Sequence, residues 1–204
     1  MNTHDRILET TLKLMRMYGI KNVTMMDIAK ECGVSKKTVY EHFQDKDAMV
    51  EEAIQFMVDD QQNQLQRCHN EARDAIELLM NTVRVTETMV KTVNPVLLFE
   101  LEKYHPDAWK IVEEFRNTYV INSIRANLEQ GIAEGIFRKS IKIDIVARLR
   151  LLQLESAYNP RQFPAEQFDL HEVMQQVTVH FVCGVATIKG HQLLNKYLEI
   201  TDEA

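Results

Sequence analysis

The chain predicts an all-α fold, and three observations carry that prediction. Gly and Pro are scarce, at 6 and 4 of 204 residues, which argues against a loop-rich or all-β protein. Leu, Met, Glu, Gln and Ala, which favour helix, are abundant. Apolar residues recur at three- and four-residue steps along most of the sequence, the period of a helix with one buried face. An apolar fraction of 45% at this length is enough for one or two domains with a real core.

Taken in order, an amphipathic first helix is followed by the most informative stretch, Thr24 to Lys46, TMMDIAKECGVSKKTVYEHFQDK. Thr24 with Asp27 predicts a capping box that starts a short helix. Ile28, Ala29 and Cys32 share one side of it, and Gly33 can leave the helix at positive φ without a steric penalty. Val34 packs into the corner and Ser35 caps the next helix. There Thr38, Val39 and Phe43 alternate with Lys36, Lys37, Tyr40 and His42, giving one buried face and one basic face. Two short helices joined by a tight Gly turn read as a helix-turn-helix. The second, with lysines and hydroxyls near its N-terminus, suits the major groove, where base edges are read from a helix's first turns. The expected DNA-contacting set is Thr24, Ser35, Lys36, Lys37, Thr38, Tyr40, His42 and Lys46, with Lys46 assigned to a phosphate.

These residues resemble the TetR family of transcriptional regulators almost position by position over the first 50 residues. Ile7, Leu8, Thr11, Leu12, Leu14 and Met15 resemble the family's first helix, followed by Gly19. Thr24, Ile28, Ala29, Gly33, Val34, Ser35, Thr38, Tyr40, Phe43 and Lys46 sit at the spacing of its signature. Lys37 departs from it, since many members carry Gly there, and a long cation at the start of the recognition helix should alter which bases are preferred. The resemblance implies a three-helix helix-turn-helix domain over residues 1–46. A larger helical domain for effector binding and dimerisation would follow over 47–204. It implies a homodimeric repressor released from double-stranded operator DNA by a small molecule. The alternative is a helical ligand-binding or protein-interaction module that no longer engages DNA.

Beyond the motif, a helix is predicted from Asp45 to about His69, with Met49, Val50, Ala53, Ile54, Met57 and Leu65 on its apolar side. A second runs from about Arg73 to Val93, stopped by Asn94-Pro95. After the segment Val96 to Tyr104 and the break at His105-Pro106, one helix is predicted from about Asp107 to Ala133. Residues 142–157 and His171 to Lys189 predict two last helices with wide apolar stripes. Leu149, Leu152, Val177, Phe181, Gly184, Val185 and Ile188 are expected at a two-fold dimer interface, as a four-helix bundle. On family grounds an effector pocket is expected among the central helices. Its candidates are Met80, Phe99, Tyr104, Trp109, Phe115, Arg116 and Tyr119, with Glu100 and Asn122 among the polar groups.

Net charge is −6, but residues 1–46 hold eight Lys/Arg against six Asp/Glu, so only the N-terminal part leans basic. Cys32, Cys68 and Cys183 have no metal-ligand spacing and cannot form a complete disulfide set, which fits a reducing cytoplasm. No apolar run is long enough to span a membrane. Glu102 and His105 have the Glu-x-x-His spacing of helix-bundle di-iron sites, but no other His has an acid three residues before it. No catalytic motif is present, and neither an enzyme activity, a cofactor nor a metal is expected.

Overall fold

The computed structural model describes residues 2–92 and 95–198. Its helices are α1 Thr3–Tyr18, α2 Met25–Cys32, α3 Lys36–His42, α4 Lys46–Glu71, α5 Ala75–Thr92, α6 Pro95–Tyr104, α7 Pro106–Glu114, α8 Ile121–Ala133, α9 Ile143–Ala157, α10 Leu170–Val185 and α11 Ile188–Tyr197. A π-helical turn, Phe115–Val120, lies between α7 and α8. The chain forms two compact units, Met1–Asn63 with Lys91–Arg116, and Gln64–Val90 with Asn117–Ala204.

The first unit is built around α1 to α3 and the first half of α4. Ile7, Met15, Ile20, Ile28, Val39, Phe43, Met49 and Ile54 are buried in one cluster. Each such side chain contributes about 1.5–3 kcal/mol by leaving water. Leu97 and Leu101 of α6 and Ala108 of α7 complete the same cluster, and Trp109 packs against it. The short helices α2 and α3 are well capped, as they must be at eight and seven residues.

The second unit packs α5, α8, α9, α10 and α11 around Ile76, Leu79, Leu128, Phe137, Val182 and Leu194. Asn127 of α8 donates to the Ala75 carbonyl, and Glu134 accepts the Ala75 N–H, so the start of α5 is tied to α8. The connections after α8 and α10 pair through two bonds of 2.8 Å, Arg138 N–H to the Val185 carbonyl and Thr187 N–H to the Ile136 carbonyl. At Gly131 a β-carbon would collide with the Phe137 ring, so only Gly fits there.

Two helices predicted as single are broken. The segment from Asp107 to Ala133 carries the π-helical turn at 115–120, a local feature that leaves the hydrophobic period nearly unchanged. The segment from His171 to Lys189 ends at Val185, because Ala186 turns to extended backbone with ψ of 151°. Thr187 then caps α11, its hydroxyl accepting from the Gly190 N–H at 3.2 Å. This last helix was not foreseen. The predicted stop at Asn94 lies outside the described residues, while Pro95 starts α6, where a missing N–H costs nothing.

A candidate DNA-reading face and its support

The helix-turn-helix is assembled by local hydrogen bonds that its sequence specifies. Thr24 accepts from the Asp27 N–H while the Asp27 carboxylate accepts from the Thr24 N–H at 2.9 Å and from its hydroxyl at 2.6 Å. Those bonds, the hydroxyl's first, hold the Asp27 carboxyl below its ordinary pKa. Gly33 adopts φ 66° and ψ 33°, the left-handed conformation that a side chain disfavours. Ser35 then accepts from the Thr38 N–H at 3.0 Å, and the two hydroxyls bond each other at 2.9 Å.

The α3 helix is anchored from beneath by Val39 and Phe43, both essentially fully buried. Lys36, Lys37, Tyr40 and His42 are exposed on its other face, with Thr38 half-buried. Lys37 lies 3.9 Å from Glu41 with both side chains largely in water, a pair worth little. Its charge is therefore free for another partner. His42 and Phe43 both lie against the His4 ring, and His4 in turn bonds Glu52 of α4 at 2.9 Å, bracing the end of α3.

Lys46, expected at a phosphate, is more deeply engaged than an exposed phosphate contact would be. Its ammonium donates to the Ile20 carbonyl at 2.6 Å and is half-buried. Burial lowers its pKa, with Glu100, Asp47 and Asp27 opposing. An ammonium has three donors, so two remain. Glu100, expected among pocket polar groups, is instead buried beneath the turn between α1 and α2. One of its oxygens accepts the Ile20 N–H at 2.5 Å and the Lys21 N–H at 3.1 Å. The turn preceding the helix-turn-helix is thus held by a carboxylate of α6 and a lysine of α4. Sequence reasoning missed this because the partners are 80 residues apart. An acid amid Leu97, Leu98, Phe99 and Leu101 was the available signal.

The other expected pocket residues are dispersed. Phe99 and Tyr104 are exposed on α6, and Lys21 lies 3.5 Å above the Tyr104 ring. Trp109 belongs against the N-terminal core with Arg116 stacked on it at 5.6 Å, and Phe115 is buried. Tyr119 is half-buried beyond them, in the second unit. Met80 lines a cavity of about 180 Å³ in the second unit, and none of the other candidates lines that cavity. A larger surface groove of about 470 Å³ runs between α1 and α4, lined by Leu12, Arg16, Met17, Phe56, Met57 and Asp60.

The dimer set also divides. Leu149 and Leu152 are more than half exposed on α9, together with Ile145, and Gly184 is exposed on α10. Val177 is half-buried, and Ile188, 80% exposed, lies on α11. Phe181 and Val185, expected to face a partner, are buried inside their own protomer. The correction has a simple cause, since an apolar stripe marks burial without saying against which chain.

Among the described residues, no helix is long and apolar enough to cross a membrane, and no cluster of His, Cys, Asp or Glu could hold a metal. His105 sits instead 2.9 Å from Asp47.

Residues 7–53 match the family model of the bacterial regulatory proteins of the tetR family. The chain belongs to the TetR family. Like others in that family, it is a DNA-binding transcriptional regulator with a helix-turn-helix. It is 28% identical over 174 residues to YvaF, an uncharacterised HTH-type regulator of Bacillus subtilis, covering 84% of this chain and 90% of that one. It is 24% identical over 151 residues to the HTH-type repressor KstR2 of Mycolicibacterium smegmatis, covering 71% and 72%. In fold it matches reduced NemR of E. coli at TM-score 0.76 and 16% identity, over 91% and 98% of the two chains. It also matches FadR of Bacillus subtilis, solved with stearoyl-CoA, at TM-score 0.71 and 16% identity, over 88% and 98%.

Proposed function

We propose that this TetR-family protein is a homodimeric repressor that reads its operator through α3 and leaves it when a small molecule binds. The observation that carries the reading is the exposed row Lys36, Lys37, Tyr40 and His42 on a capped helix whose opposite side, Val39 and Phe43, is buried. Lys36 and Lys37 fall in the first turn, where a helix in the major groove meets base edges. The remaining donors of Lys46 and the Thr24 end of α2 are assigned to phosphates. Residues 1–46 are assigned to reading DNA, and 47–204 to effector binding and assembly.

Two features support regulation. Glu100 and Lys46 hold the turn at Ile20 and Lys21 from α6 and α4, so a ligand that favours another placement of α6 would loosen the platform under the helix-turn-helix. Such a ligand must bind the DNA-incompetent arrangement more tightly, and operator must weaken the ligand in return. The exposed Ile145, Leu149 and Leu152 supply an apolar strip suited to a second copy. Two half-sites about 34–36 Å apart could then be held at once.

The test is a gel shift with DNA from just upstream of the protein's own gene, against a scrambled duplex of equal length. A discrete complex that resists excess scrambled competitor is expected. Equal affinity for both duplexes would favour the alternative, a helical module without sequence-specific DNA binding.

A further inference from the structure

The second unit contains a buried cation that no acid compensates. Arg150 of α9 is 1% exposed, yet its guanidinium has no carboxylate partner among the described residues. Its contacts are the Thr178 hydroxyl at 2.9 Å, the Val177 carbonyl at 3.4 Å and the Phe181 ring at 4.8 Å. Its Nε is buried without a hydrogen-bond partner. Buried charges are normally paired, because removing a lone one from water is expensive. Burial lowers this guanidinium to about 10, which leaves it charged at neutral pH.

Thr178, the side chain Arg150 holds, forms part of the wall of the cavity of about 180 Å³. Met80, Val83 and Leu198 give that cavity an apolar side, while Gln175, His171 and Arg84 are polar or basic. The buried acid near this group, Glu87, already has His171 at 2.9 Å. A cavity of about 150 Å³ holds a benzene ring, so this one suits a ring or a short chain bearing a small head group.

We propose that this cavity is an anion site, taking a small organic carboxylate whose apolar part lies against Met80 and Val83. Its head group is held at Thr178 under the charge of Arg150. The proposal deepens the effector reading above and rests on it. The carboxylate supplies the counter-charge that the protein itself omits, and a neutral molecule of the same shape leaves the guanidinium uncompensated.

The experiment titrates the full-length protein with sodium benzoate and with benzamide, its neutral counterpart, at matched ionic strength, reading Tm and binding heat. Benzoate should raise Tm and bind about tenfold more tightly than benzamide, the margin of a charge-assisted hydrogen bond. Arg150→Met should erase that preference while retaining a cooperative melt, and Arg150→Lys should keep part of it. If Arg150→Met does not fold, Thr178→Val serves, since it alters the cavity wall and leaves Arg150 in place. Equal binding of the two probes, no binding of either, or a benzoate preference that persists in the folded variant would overturn the site. Operator affinity measured in the same titration separates the two readings. Benzoate that binds without releasing DNA keeps the anion site and removes its effector role.

Discussion

The two units of this chain are stabilised differently. In the first, the fully buried polar side chains Thr11 and Glu100 have hydrogen-bond partners, while the half-buried Arg16 keeps an Nε without one. Glu100, the prominent buried acid there, spends one carboxylate oxygen on two N–H groups. In the second unit the fully buried Arg150 and Asn127 each keep a polar atom without a hydrogen-bond partner. A fully satisfied core gives a rigid platform, whereas unpaired buried polar atoms create a demand that a ligand can meet. The deepest polar side chains of the first unit are thus closed on protein partners, while those of the second keep capacity that the proposed carboxylate would use.

The largest effect expected is from Phe43→Ala. Emptying this fully buried site in the first unit should cost about 3–5 kcal/mol and abolish DNA binding, read by thermal denaturation and gel shift. A stable, DNA-competent variant would show that the platform is not a single cooperative core. Glu100→Ala follows, since it strands the buried Ile20 N–H and removes the acceptor of the part-buried Lys21 N–H. A loss of about 1–3 kcal/mol and weaker operator binding are expected, with Glu100→Gln milder because it keeps an acceptor. Wild-type stability for Glu100→Ala would remove the α6 tie from the account.

A third contrast concerns the outward and inward faces of α9 and α10. Leu152→Glu should yield a folded monomer by light scattering, because that side chain is exposed in the protomer. Val185→Glu should instead destabilise the protomer itself, by several kcal/mol for a buried unpaired carboxylate. A Leu152→Glu dimer at micromolar concentration would move the interface elsewhere. The smallest effect is expected from Asp27→Asn. Asp27 has a depressed folded-state pKa, so its contribution is present above the ordinary carboxylate pKa and lost as pH falls through the folded value. The mutant should lose a little stability at neutral pH, and the gap to wild type should close on acidification. A pH-independent gap would assign the loss to the Thr24 cap alone.

Much of the first unit was legible because its signals are local. The Thr24 and Asp27 box, the Gly33 turn and the Ser35 cap each span four residues or fewer. The same locality explains what was missed. The Glu100 bonds cross about 80 positions, so periodicity could place α6 but not its carboxylate. In the second unit the apolar stripes of α9 and α10 were visible, yet nothing in a stripe distinguishes Phe181 and Val185, which pack inward, from Leu149 and Leu152, which do not. The end of α10 at Ala186 was hidden as well. Phe181, Val185 and Ile188 keep helical spacing across it, and only Thr187 announces a new cap. Arg150 falls inside the segment predicted as α9, and burying a cation without an acid is a tertiary choice that no pattern announces.

In the proposed function, α3 reads sequence from a platform that the rest of the first unit holds still. This reading is tested most directly by equilibrium binding of wild type and Lys37→Ala to an operator duplex and to a scrambled one, at fixed salt. If Lys37 meets a base edge, the mutant should lose about 1–3 kcal/mol on the operator and much less on the scrambled duplex, so discrimination narrows. Equal losses on both duplexes would reduce Lys37 to a phosphate contact, and no loss on either would contradict the placement of α3 in the groove.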